Sequence, residues 1–266
     1  MKLSIFLAGI RPENWLKLYL SIPNVTSLPK DEYELLFVSP YELPPELQDV
    51  SNVRHIKDWG NPSRCFQIGL LHSKGEYVVW GADDGTFSPT MAFDKAFDAI
   101  PKHHKGVVSF KYKEGNTPQS DAMLGEEYWM LGSHKLHRKL KYVPNNCKLV
   151  MNALIRRDYF MELGGWDCRI EQLGLSCPDL SVRLQNDGAE VMMGEKFMEV
   201  SHLFAEAGDH GPIMRAFTKN DKPLYCHIYS HPEGKNRSRI DFDNWKQSPG
   251  VWARRWPQGR PTKETL

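Results

Sequence analysis

The run Tyr77-Val78-Val79-Trp80 is apolar without alternation and passes directly into Gly81-Ala82-Asp83-Asp84-Gly85. A strand with no polar face must be covered on both sides, as in parallel sheets flanked by helices. Two carboxylates at its carboxyl end fall where open α/β sheets bind ligands. The flanking pattern agrees. Residues 3–8 form an apolar run ending at Gly9, and Pro12 suits the first turn of a helix over 13–22, where Trp15, Leu16, Leu18, Tyr19 and Ile22 recur at helical spacing. Residues 33–38 are a second β-type run closed by Ser39-Pro40, and a helix around 62–71 leads into 77–80, the third predicted strand. Beyond it the pattern predicts a helix near 89–100, a strand at 106–113, an irregular stretch over 114–146, a strand within 148–156, helices at 157–163 and 178–187, and a strand at 190–193. The expectation is an α/β fold: a mostly parallel central sheet with helices on both faces.

Size and charge narrow the function classes. A chain of 266 residues accommodates one large core with an appendage. Its 41% hydrophobic and 25% charged residues exclude wholesale disorder. With 34 Lys+Arg against 33 Asp+Glu, no overall field marks a polyanion binder. Locally, residues 102–157 hold eleven Lys/Arg against four acids, and residues 237–260 interleave Arg239, Lys246, Arg254 and Arg255 with Phe242, Trp245, Trp252 and Trp256. Such mixtures bind polyanions or stack on bases and sugars, and they equally describe a solvated tail packed by its tryptophans. No apolar run approaches the length of a membrane span. The first ten residues meet Arg11-Pro12-Glu13 too soon for a secretory signal. Five scattered cysteines without a C-x-x-C pair suit a reducing cytoplasm.

Two adjacent acids on such a strand suit a hard divalent cation, Mn²⁺ or Mg²⁺, holding a diphosphate; Asp83-Asp84-Gly85 also has the composition of a simple turn. Three further segments stand in order with it. Residues 61–77 carry Arg64 on a predicted helix and close on Lys74-Gly75-Glu76-Tyr77 before the acidic strand. Residues 152–167 run from an arginine-bearing strand into Leu163-Gly164-Gly165-Trp166-Asp167. Asp179-Leu180-Ser181-Val182-Arg183 opens the last predicted helix. This order over residues 1–205 resembles the family 2 glycosyltransferases.

The resemblance implies a GT-A-type, Rossmann-like fold. Residues 1–207 would form the transferase-like domain, with a nucleotide-sugar half over 1–113 and an acceptor half over 114–207; residues 208–266 would form a C-terminal extension on the core. It implies an inverting, metal-dependent transfer of a sugar from a nucleoside diphosphate sugar to an acceptor hydroxyl, on a glycan or on modified DNA. By position, Asp84 and His202 would hold the metal and Asp83 would lie near the donor ribose or the metal's waters. Ala8, Gly9 and Arg11 would meet the nucleotide where the first strand ends. Arg64 would lie near the donor diphosphate, and His210, in a compact turn after His202, would touch phosphate or metal. The alternative for each arginine is a surface ion pair.

The chain departs from the family pattern twice. Phe37-Val38-Ser39-Pro40-Tyr41-Glu42 stands where an acid following the second strand usually reads the donor base. Ser176-Cys177 stands where a Glu-Asp pair usually supplies the catalytic base. An inverting transfer needs a base within hydrogen-bond reach of the acceptor hydroxyl, and Glu171 and Asp179 are the candidates, Glu171 preferred because Asp179 follows Pro178 at a predicted helix start. Two rival readings stay open: a non-catalytic sugar-nucleotide or glycan-binding relative, and a metal-dependent phosphohydrolase using Asp83, Asp84, His202 and His210. Sugar, base, acceptor and oligomeric state are not legible.

Overall fold

The computed structural model describes residues 1–114, 130–200 and 210–260. Eight strands form one sheet: β1 (Leu3–Ala8), β2 (Tyr33–Ser39), β3 (Val53–Lys57), β4 (Tyr77–Ala82), β5 (Gly85–Phe87), β6 (Gly106–Glu114), β7 (Asn152–Arg156) and β8 (Glu190–Val200). Their order is β3-β2-β1-β4-β7-β6-β8-β5. β7 and β5 run against the other six, so the sheet is mostly parallel, as expected.

Strand alternation divides the core between two faces. Ile5 and Leu7 of β1, Leu35 and Phe37 of β2 and Val79 of β4 face one way, against Trp15 and Leu18 of the helix Trp15–Leu20 and Phe93 and Ala96 of the helix Ala92–Ala99. Phe6, Leu36, Val78 and Trp80 face the other, against Phe66 and Leu70 of the helix Pro62–His72 and against Tyr159, Phe160, Leu180 and Leu184. Both layers predicted from the unalternating run at 77–80 are present. Trp166 is the hub of the second face, its ring 4.5 Å from that of Phe160, 5.0 Å from Trp80 and 5.2 Å from Phe66.

The Leu-Gly-Gly-Trp segment explains itself. Gly164 and Gly165 adopt φ of +93° and +64°, in the left-handed region. A Cβ on Gly165 would stand 2.0 Å from Gln67 Oε1. That oxygen accepts the Trp166 N–H at 2.9 Å, while Gln67 Nε2 donates to the carbonyls of Gly164 and Phe242.

Several boundaries differ from expectation. β3 was not predicted: Val53-Arg54-His55-Ile56-Lys57 is an edge strand, only Val53 is buried, and so its hydrophobic signal is weak. β8 continues to Val200 rather than ending at 193. The helix expected at 178–187 begins five residues earlier, as Leu173–Asn186, with Pro178 inside it. Pro178 removes the helical donor to the Gly174 carbonyl, yet the helix persists because ten of its residues are buried. Asp179 is therefore mid-helix, not at a helix start.

Residues 210–260 lie against this core. Tyr225, Ile228 and Tyr229 of the helix Lys222–Ser230 pack with Leu131, Val143, Ile170, Leu175 and Val182. Asp221, fully buried, accepts the backbone N–H groups of Glu171 and Gln172. No helix among the described residues is long and apolar enough to cross a membrane, and none of the five cysteines is paired.

Candidate active site

A cavity of about 480 Å³ opens at the carboxyl ends of β1, β2 and β4. Ala8, Gly9 and Arg11 follow from β1, Val38 and Pro40 from β2, and Ala82, Asp83 and Asp84 from β4. Parallel register brings them together: Ala8 pairs with Val38 on one side and Ala82 on the other. Gly9 has no room for a side chain, since a Cβ would stand 2.5 Å from the Trp15 indole, which stacks on Phe37 at 4.2 Å.

Asp83 and Asp84 form the turn between β4 and β5. Gly85 is required by a close approach, not by a left-handed φ: its Cβ would stand 2.7 Å from Met198 Cγ, where β5 pairs with β8. Asp83 Oδ2 accepts the backbone N–H groups of Ile10 and Arg11 at 2.7 and 2.8 Å, and its Oδ1 accepts Arg11 Nη1 at 2.8 Å. The same Nη1 lies 3.4 Å from Asp84 Oδ2, and Nη2 lies 3.3 Å from His210 Nε2. One guanidinium thus joins Asp83, Asp84 and His210. Burial, and then the neighbouring Asp83 charge, raise the Asp84 carboxyl above its ordinary value.

The family resemblance implies a divalent cation here, and the donor set agrees with one. Two hard carboxylate donors face the cavity, and a positive charge, the Arg11 guanidinium, already stands between them. Among the described residues no group of three or more His, Cys, Asp or Glu side chains surrounds a single point. His202 lies outside the described residues; Val200, two positions before it, lines the cavity.

Three predicted residues stand elsewhere. Arg64 Nε and Nη2 bond Asp58, and Nη1 donates to the carbonyls of Trp245 and Ser248, so Arg64 fastens the helix Pro62–His72 to the C-terminal segment. Its neighbour Cys65, not Arg64, lines the cavity. Glu171 Oε2 accepts Trp252 Nε1 at 2.6 Å and Arg254 Nε at 2.5 Å, in a second cleft. Trp252 lines both clefts.

Asp179 is fully buried, bonded to Arg183 Nε at 2.7 Å, Arg237 Nε at 2.9 Å and the Tyr229 hydroxyl at 2.8 Å. Burial alone would raise its pKa, but Arg237 and Arg183 outweigh that and hold it at about 2. A carboxylate so buried, with both oxygens already bonded, has no access to an acceptor hydroxyl. Ser176 and Cys177 are buried in the same helix, and burial pushes the Cys177 thiol up to about 12, so neither replaces the missing acids.

Sequence reasoning named Trp252, Arg255 and Trp256 of the tail but missed Trp59 and Phe217, which complete an aromatic wall. Trp59, Phe217, Trp252 and Trp256 line the cavity beside Arg255. The tail's interleaving of tryptophan and arginine was the available signal; the Trp59–Val251 bridge and the Trp252 N–H bond to the Trp59 carbonyl, with the Arg64 and Glu171 bonds to the same tail, bring it to the cavity.

No protein-family profile and no curated protein matches the chain. Among solved structures, it is similar to S. aureus TarS 1-349 with a TM-score of 0.54 at 12% identity, over 89% of this chain and 68% of that one. Its similarity to the same protein in complex with UDP-GlcNAc has a TM-score of 0.51 at 14% identity, over 86% and 71%. For GalNAc-T7 with UDP, GalNAc and Mn²⁺ the TM-score is 0.55 at 11% identity, over 93% of this chain and 56% of that one. This chain therefore spans little more than half of GalNAc-T7. At these identities the likeness is one of fold, and the fold is the GT-A-like α/β architecture of those glycosyltransferases.

Proposed function

We propose that the protein is a glycosyltransferase that binds a nucleoside diphosphate sugar in the cavity at the ends of β1, β2 and β4 and passes the sugar to an acceptor hydroxyl. The observation that carries this reading is the junction of Asp83, Asp84, Arg11 and His210 at that cavity, in a fold whose solved examples include complexes with UDP and UDP-GlcNAc. Asp83 fixes the backbone at residues 10–11 and orients Arg11. Arg11 and His210 offer N–H groups to phosphoryl oxygens, a charge-assisted and geometrically selective contact. Asp84 and Asp83, with His202 from outside the described residues, would hold Mn²⁺ or Mg²⁺, which when bound neutralises charge on the leaving diphosphate.

In this reading residues 1–113 carry the donor half and 114–207 the acceptor half, and the 208–266 extension closes the cavity through Trp252 and Trp256. The acceptor, a glycan or modified DNA, enters along that aromatic wall. The transfer inverts the anomeric centre, as the family resemblance implies. Asp179 is locked in the fold by Arg183, Arg237 and Tyr229, and Glu171→Gln decides whether Glu171, held by Trp252 and Arg254 in the second cleft, also takes the acceptor's proton. The five unpaired cysteines support a cytoplasmic setting.

One observation favours a second, binding-only reading: among the described residues the cavity's carboxylates are Asp83 and Asp84 alone, both facing Arg11. Titration calorimetry with UDP, GDP, ADP, CDP and TDP, each with Mn²⁺ and with chelator, tests the donor site. Binding of one nucleotide that Asp84→Ala loses supports it; a folded protein that binds none overturns it. Product analysis with the matching nucleotide sugar then separates the readings, since a bound donor that is neither transferred nor hydrolysed means binding only.

A further inference from the structure

We infer that Arg11 is a built-in stand-in cation: it occupies the carboxylate pair in the free protein, yields Asp84 to a divalent metal, and then turns to the donor diphosphate. The inference rests on the donor-site reading above and adds the order of events at the site.

Charge balance is the first argument. The side chains of Asp83 and Asp84 are only 4% and 9% exposed, and two adjacent carboxylates so buried need a positive partner. Arg11 Nη1 is that partner, at 2.8 Å from Asp83 and 3.4 Å from Asp84. The described side chains lining the cavity supply two arginines, Arg11 and Arg255, against these two acids. An incoming diphosphate adds at least two negative charges and finds no surplus positive charge among them. A divalent cation restores the balance, and a guanidinium between the two acids competes with it.

Geometry is the second argument. The bonds from Arg11 are unequal. Asp83 is held three times, by the N–H groups of Ile10 and Arg11 and by Nη1, and two of those bonds are backbone contacts that persist when the side chain swings. Asp84 is held by the longer contact alone among those described for it with Arg11. Asp84 is therefore the carboxylate that changes partner, while Asp83 anchors the Arg11 backbone throughout. The guanidinium, its side chain 18% exposed, lies at the cavity wall with His210 against Nη2. Rotation about its side-chain bonds redirects the charge without moving the main chain.

The test uses Mn²⁺ alone and inorganic pyrophosphate, so it does not depend on knowing the base or the sugar. In Arg11→Gln, which keeps most of the side chain and removes the charge, Mn²⁺ binds roughly tenfold more tightly without pyrophosphate, because a competing positive charge a few ångströms away is gone. Pyrophosphate at saturating Mn²⁺ binds about tenfold more weakly, having lost the guanidinium. Arg11→Lys, which keeps the charge, restores the wild-type Mn²⁺ affinity, and thermal melting confirms that each variant is folded. Unchanged or weaker Mn²⁺ binding in folded Arg11→Gln overturns the competition. Tighter Mn²⁺ binding with unchanged pyrophosphate affinity overturns the transfer of Arg11 to the diphosphate. If wild type binds Mn²⁺ and pyrophosphate as expected but no nucleoside diphosphate in the panel, the donor-site reading falls while the arginine exchange stands.

Discussion

Arg237 Nε donates to Asp179 Oδ1 at 2.9 Å across 58 residues of chain, and the same guanidinium bonds Asp167 through Nη2. One arginine of the C-terminal segment thus joins the Gly-Gly-Trp-Asp turn to the helix that follows it. Asp179 also accepts Arg183, whose Nη2 donates to the Gly165 carbonyl at 2.5 Å. Two of the segments that carry the family resemblance are thus tied together by a buried ionic clamp.

Removing Arg237 leaves two buried carboxylates short of a partner. Arg237→Ala is expected to lower unfolding stability by about 3–5 kcal/mol, the cost of breaking a buried ion pair from one side, as read by urea titration at pH 7. The sign with pH follows from Asp179. Its folded pKa, about 2, lies below the unfolded value, so the stability it contributes is complete above pH ~4 and is lost as pH falls towards 2. In Asp179→Asn that acid-dependent component disappears, and a wild-type slope over this range would contradict the clamp.

Glu171→Gln is expected to leave nucleoside diphosphate affinity unchanged while loosening the segment around Trp252 and Arg254. Its Oε2 holds both at 2.5–2.6 Å, and a charged hydrogen bond of this kind contributes about 1.5–3 kcal/mol. Hydrogen exchange over residues 250–256 reads the loosening. Abolished transfer with unaltered exchange would return Glu171 to the role of base.

Gly165→Ala is expected to destabilise the protein by at least about 2 kcal/mol, because the left-handed backbone disfavours a Cβ and Gln67 fills the space it would need. Gly188, at φ +86° with nothing within 4 Å of where a Cβ would stand, is the control. Gly188→Ala bears only the backbone penalty, and equal melting temperatures for the two variants would remove the packing argument at Gly165.

His137 supplies a second pH test. Burial, and then His134, lower its pKa to about 4; its ring packs on Tyr225 at 5.3 Å. The unfolded chain takes up this proton near pH 6.5 and the folded chain only near 4, so stability is full above 6.5 and falls by roughly 3 kcal/mol between those values. His137→Phe is expected to flatten that part of the profile, as measured by denaturant midpoints from pH 7.5 to 4.5. A variant profile parallel to wild type would show that His137 charges freely in the fold.

Much of the fold was legible because it rests on local chemistry. The unalternating run at 77–80, the Gly9 break and the order of strands and helices along the chain each have a cause within a few residues, whereas the glycine pair before Trp166 also answers to Gln67 and Ile240, far away in the chain. β3 escaped because an edge strand exposes most of its residues. The early start of the helix Leu173–Asn186 escaped because Pro178 marks a boundary by propensity that burial of the surrounding residues overrides. At the site, Asp83, Asp84, Ala8, Gly9, Arg11 and His210 do share one cavity, and strand register is the reason for all but His210.

The sequence by itself led to a mostly parallel sheet with Asp83 and Asp84 at the carboxyl end of an apolar strand, because alternating strand and helix signals are local, while leaving open whether those acids make a site or a simple turn. Only the tertiary structure decided what those acids meet. Arg11 reaches Asp83 across 72 residues and His210 reaches Arg11 across 199, separations over which no local pattern carries information. It also decided that Arg64, Glu171 and Asp179, alike in type to the residues that hold substrates, are bonded instead to the chain's own C-terminal segment. A charged side chain takes the partner that folding brings within reach, and spacing along the chain does not name that partner.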